Sequence, residues 1–77
     1  MDQTLSIPVR CPIKLGQFIK LSGIVEDGAE AALAIAGGHV LVNGEPETRR
    51  GHRLVGDEDV RVVMPDDSVC RLVIEQV

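Results

Sequence analysis

Arg49, Arg50, His52 and Arg53 place three guanidinium groups and an imidazole within five residues, the densest concentration of chemistry in this 77-residue chain. A guanidinium is permanently charged, planar and able to donate two parallel hydrogen bonds, so such a cluster is suited to holding phosphate oxygens. The cluster follows Asn43-Gly44, a pair that tolerates the positive φ of a two-residue type I′ turn, and Val40-Leu41-Val42 before it has the branched character of a strand. A hairpin therefore delivers the arginines to the surface. The competing reading is a basic loop kept only for solubility.

Other chemistry finds little support. Thr4, Ser6, Ser22 and Ser68 lack a nucleophile setting, there is no glycine-rich phosphate loop, and Asp66-Asp67 reads as a solvated turn, so no enzyme is expected. His52 reads as an auxiliary phosphate donor or an exposed bystander; His39, alternating with Val40, lies beneath a ligand or faces water. Cys11, Cys70 and the two histidines have no metal-ligand spacing, so neither a metal nor another cofactor is expected. The two thiols read as small hydrophobes rather than a disulfide. With no signal peptide and no apolar run near the roughly 20 residues that span a bilayer, the chain reads as cytoplasmic with no membrane role.

The formal net charge of −4 and a single aromatic, Phe18, exclude a protein that coats nucleic acid indiscriminately or stacks bases on aromatic platforms. A local basic site is still compatible with that charge, because screening at physiological salt acts over about 8 Å.

The elements that must position these residues are legible in outline. Leu5, Ile7 and Val9 alternate as a strand that Pro8 restricts to an edge. From Ile13 the period changes: Leu15, Phe18, Ile19 and Ser22 form the stripe of an amphipathic helix, ended by Gly23, with Lys14 at its border and Gln17 and Lys20 pointing outward. Asp27 and Glu30 form a capping box for a second helix, small and apolar nearly all round, which stops at Gly37-Gly38 with one glycine in the left-handed conformation. Pro46 keeps the returning hairpin strand at an edge. Val60 to Met64 and Val69 to Ile74 are strands joined by a turn at Pro65-Asp66-Asp67-Ser68. The order predicts one α+β domain over residues 1–77, two packed helices against a small, mostly antiparallel sheet. A DNA-binding helix-turn-helix is disfavoured, since residues 28–36 offer Glu30 as their one charged side chain and nothing that reads base edges.

Taken together, Ile13-x-Leu15-Gly16-Gln17-Phe18-Ile19-Lys20-Leu21, Gly28-x-Glu30-Ala31, and Gly38-His39-Val40-Leu41-Val42-Asn43-Gly44-Glu45 through Arg49-Arg50-Gly51 resemble the S4 RNA-binding domain, in particular its stand-alone bacterial form, from about residue 13 to 63. The resemblance implies the S4-like (αL) fold and a monomeric, non-catalytic module that presents one face to structured RNA, ribosomal or transfer, with ribosomal proteins as further neighbours. Lys14, Gln17, Lys20, Asn43, Arg49, Arg50 and Arg53 stand where it would place RNA contacts, with His52 beside them. Gly28 and Ala32 occupy positions where many relatives carry cations, so the second helix supplies none. The alternative is a protein-interaction adaptor built on the same scaffold. RNA binding requires that cations distant in sequence gather on one side of the folded molecule.

Overall fold

The computed structural model describes residues 2–77. Its elements are β1 (Gln3–Val9), β2 (Ile13–Lys14), α1 (Leu15–Ser22), α2 (Gly28–Ala36), β3 (Val40–Val42), β4 (Glu45–Pro46), β5 (Arg53–Leu54), β6 (Asp59–Val63) and β7 (Val69–Gln76). Five strands form one sheet in the order β1-β7-β6-β3-β4, in which only β1 and β7 run parallel, while β2 and β5 pair separately. The S4-like α+β architecture expected from the sequence is the one observed.

Pro8 and Pro46 lie in the two outermost strands, where a residue without an N–H interrupts no ladder between neighbours. Inward-facing residues of the sheet, among them Ile7, Val9, Val40, Val60, Val62 and Leu72, pack with Leu15, Phe18 and Ile19 of α1 and Ala31 and Ile35 of α2 in one core cluster. Phe18, the lone aromatic, is wholly buried at 0% exposure, so aliphatic side chains close around one ring. Among the described residues no polar or charged side chain is buried.

The helix ends follow local rules. Gly23 takes φ +79° and donates its N–H to Lys20 O, and Gly38 takes φ +79° beyond α2. Asp27 accepts the N–H of Glu30 at 2.8 Å, but among the described residues the reciprocal half of the capping box is not formed. At the hairpin, Asn43 and Gly44 have φ of +54° and +85°, as a type I′ turn demands. Cys11 and Cys70 are free thiols, and burial pushes the Cys70 thiol up. No helix among the described residues is long and apolar enough to cross a membrane.

Two expectations change. The change to a helical period, placed at Ile13, comes two residues later: Ile13 pairs with Leu54 in β2·β5, both side chains buried in the core, and the helix begins at Leu15. The apolar α2 is covered on one side only: Ala31 and Ile35 are buried while Leu33 is 74% exposed, since a two-layer fold offers this helix a single neighbouring surface.

Candidate nucleic-acid interface

The first turn of a helix leaves its N–H groups without intrahelical acceptors, and Lys14, at the N-cap of α1, provides no side-chain acceptor. The arginine loop supplies them instead. Leu15 donates its N–H to His52 O at 2.8 Å and Gly16 to Arg50 O at 2.9 Å, while a turn closes the loop through His52 N to Arg49 O at 3.1 Å. Gly16 permits this approach: a Cβ there would stand 3.2 Å from Arg50 Cβ and 3.4 Å from Arg50 O. The pairing of Lys14 with Arg53 and of Ile13 with Leu54 zips the other end of the loop to the same helix start.

The consequence is an open groove of about 510 Å³ lined by Lys14, Gly16, Gln17, Lys20, Gly28, Ala32, Arg50 and Gly51. Four of the eight residues expected at the site, Lys14, Gln17, Lys20 and Arg50, thus meet in it. Arg53 is exposed and directly opposite Lys14 in register, so its side chain leaves the β2·β5 pair on the same face. The floor contributed by α2 is Gly28 and Ala32, which have no charge to present to a ligand.

The remaining three residues are placed differently. Arg49 is engaged by Glu47: Nε donates to Oε2 at 3.0 Å and Nη2 to Oε1 at 3.1 Å. His52 Nδ1 stands 3.2 Å from the same Oε1. Hydrogen bonds from the Arg49 side chain, with a further one from its backbone N–H, hold the Glu47 carboxyl down at about 2 against an ordinary 4.5. Asn43 sits at the hairpin tip, where its Oδ1 accepts the N–H of Asp59 at 2.9 Å and its own N–H donates to Asp59 O at 2.8 Å. That side-chain oxygen locks β6 to the turn.

Sequence reading missed Glu47 and Gly16. Glu47 lies two residues before Arg49 in a non-helical segment, the spacing that puts side chains on one side, and this signal was available. The contact between Gly16 and Arg50, 34 positions apart in the chain, had no local signal.

An arginine loop that caps a first helix and faces a second, beside a five-stranded sheet, agrees with comparison by sequence. The family model described as S4 domain matches residues 9–70, a wider span than the motifs alone outlined. The "Probable ribosome maturation protein RlbA" of Bacillus subtilis (strain 168) is 48% identical over 46 residues, which cover 58% of this chain and 65% of that protein's length. The "Putative RNA-binding protein YbcJ" of Escherichia coli (strain K12) is 39% identical over 57 residues, covering 74% of this chain and 81% of that protein. With most of its length matched, and with the two helices and mixed sheet in place, the chain belongs to the S4 domain family.

Proposed function

We propose that this protein is a small non-catalytic RNA-binding module that holds structured RNA, ribosomal or transfer, in the groove between α1, the start of α2 and the arginine loop. The observation that carries this reading is the convergence of Lys14 and Lys20, from the α1 segment, with Arg50, from the arginine loop 30 or more residues later, on one groove with Arg53 beside it. Long cationic side chains suit an A-form helix, which is recognised through phosphates, 2′-hydroxyls and shape rather than base edges. The names of the Bacillus and Escherichia relatives agree with such a role, and ribosome maturation would place the RNA on a ribosomal precursor in the cytoplasm. With about four phosphates neutralised, the log–log salt slope is near −3, and affinity for arbitrary RNA is micromolar or weaker.

Fluorescence anisotropy with labelled transfer RNA and folded ribosomal RNA fragments, across a salt series, tests this. The triple variant K14Q/K20Q/R50Q should lose most of the affinity and about two units of slope. An unchanged affinity and slope in a variant that stays folded would remove the groove from consideration.

A second reading, an adaptor that meets protein rather than RNA, draws on the exposure of Leu33 beside an apolar groove lined by Ile24, Val25, Ala34, Met64 and Pro65. Pull-downs that survive nuclease treatment, together with no RNA affinity in the anisotropy series, would favour it.

A further inference from the structure

The face of the sheet turned away from the helices carries a cluster that the RNA groove does not use. Alternation along β6 and β7 sends Val60, Val62, Cys70 and Leu72 into the core, and so turns Asp59, Arg61 and Arg71 to the opposite side. Register sets Arg61 directly opposite Arg71, in a row that continues to Leu41 on β3 and Thr4 on β1. Like charges facing each other across an antiparallel pair are destabilising. One carboxylate moderates them: Asp59 Oδ2 accepts Arg61 Nε and Oδ1 accepts Arg71 Nε, both at 3.1 Å.

Both Asp59 oxygens are used by this arrangement, and its backbone is pinned by Asn43. The trio therefore keeps a net positive charge. The two arginine side chains are 47% and 51% exposed, and their Nη atoms make no hydrogen bond among the described residues. Glu75, the acid of β7, accepts from Ser6 Oγ at 3.0 Å further along the strand, and Asp2 Oδ1 accepts the N–H of Val69 at 2.8 Å. Half-buried aliphatic side chains enclose the pair: Val63 opposite Val69 on one side, Val73 opposite Asp59 on the other.

We infer that this outer face is a protein-docking surface whose occupant is an acidic segment, an Asp or Glu flanked by aliphatic residues, with the carboxylate seated on the free Nη edges of Arg61 and Arg71. Charge complementarity selects the acid. The valines favour a peptide over RNA, since the ribose C–H groups of a sugar-phosphate backbone are interspersed with hydroxyl and phosphate oxygens that would be desolvated against them, whereas an aliphatic side chain carries none. Arginine is also enriched in protein interfaces whose buried centre is apolar. The surface lies across the sheet from the groove, so both can be occupied at once, and its existence does not depend on RNA binding.

The test is a titration of the ¹⁵N-labelled full chain, followed through backbone amides and arginine Nε–H resonances. The probes are the blocked peptide Val-Glu-Val-Asp-Leu, its counterpart with Lys in place of both acids, inorganic phosphate and a transfer RNA. The acidic peptide should shift Arg61 and Arg71 Nε–H and the amides of β6 and β7 with a dissociation constant of about a millimolar, and R61Q/R71Q should weaken it at least about tenfold. The milder R61K/R71K variant, which keeps charge but loses the fork, should weaken it too and covers the case in which the glutamine variant does not fold. The inference is overturned by no response up to about 10 mM acidic peptide, by an equal response to the lysine peptide, or by a response at these arginines to transfer RNA or phosphate and not to the peptide.

Discussion

Glu47 holds Arg49 at three points: its Oε2 accepts the guanidinium Nε at 3.0 Å and the backbone N–H at 3.1 Å, and its Oε1 accepts Nη2 at 3.1 Å. Arg49 is therefore the arginine of the loop whose charge is already matched within the protein, although its side chain is 75% exposed. Replacing Glu47 by Gln should release that charge. RNA affinity should rise by about threefold to tenfold and the salt slope steepen by about 0.7, the increment for one further phosphate contact. Anisotropy titrations of E47Q and the parent at four or more salt concentrations check this.

The same pair sets an acid limit on the loop. Glu47 titrates at about 2 in the folded chain against 4.5 ordinarily, chiefly through the Arg49 side-chain hydrogen bonds. A carboxyl with a depressed folded value stabilises the fold fully above its unfolded value and loses that contribution as pH falls through the folded one, here from about pH 4.5 down to about 2. The Glu47 side-chain ¹³C resonance should titrate near 2, and should move back toward 4.5 in Arg49→Gln.

Ala32 lines the groove on the α2 side, where a longer cationic side chain would face the same ligand as Lys14, Lys20 and Arg50. Ala32→Lys should tighten RNA binding by about threefold to tenfold and steepen the slope by about 0.7. It should leave the melting temperature within a few degrees of the parent, because the position is half-buried and lies mid-helix. Calorimetry alongside anisotropy separates the two effects.

Asn43 serves the fold first. Ala at this position would lose the acceptor for Asp59 N–H and sit at φ +54°, for a combined cost of about 2 kcal/mol, whereas Gly would keep the turn and cost about 1 kcal/mol. Urea denaturation reads both. An RNA affinity unchanged in Asn43→Gly would confine Asn43 to a structural role, and a loss of affinity at unchanged salt slope would restore it as an uncharged hydrogen-bonding contact.

Where chemistry is local, the chain could be read directly. Asn43-Gly44 specified its turn because few residue pairs tolerate two consecutive positive φ values. Phe18 and Ile19 declared their helix face through a period of 3.6, and Pro8 and Pro46 marked the sheet edges because each lacks a donor. The pairing of Lys14 with Arg53, the cap that His52 O and Arg50 O place on α1, and the row from Leu41 through Arg61 and Arg71 to Thr4 left no comparable trace. Each joins residues whose separation in the chain has no bearing on either partner's local preference.

The amino-acid sequence by itself determined both helices and the longer strands, the turn, the helix stops, the inventory of charges and membership of the S4 domain family, but not the short β2·β5 pair. Tertiary structure alone decided which charges are free to act. Arg49 is matched by Glu47, Arg61 and Arg71 share Asp59, and Arg50 reaches the groove with Lys14 and Lys20. The physical reason is range: backbone propensity is set by a few neighbouring residues, whereas a charge takes its partner from whatever the completed fold brings within about 4 Å.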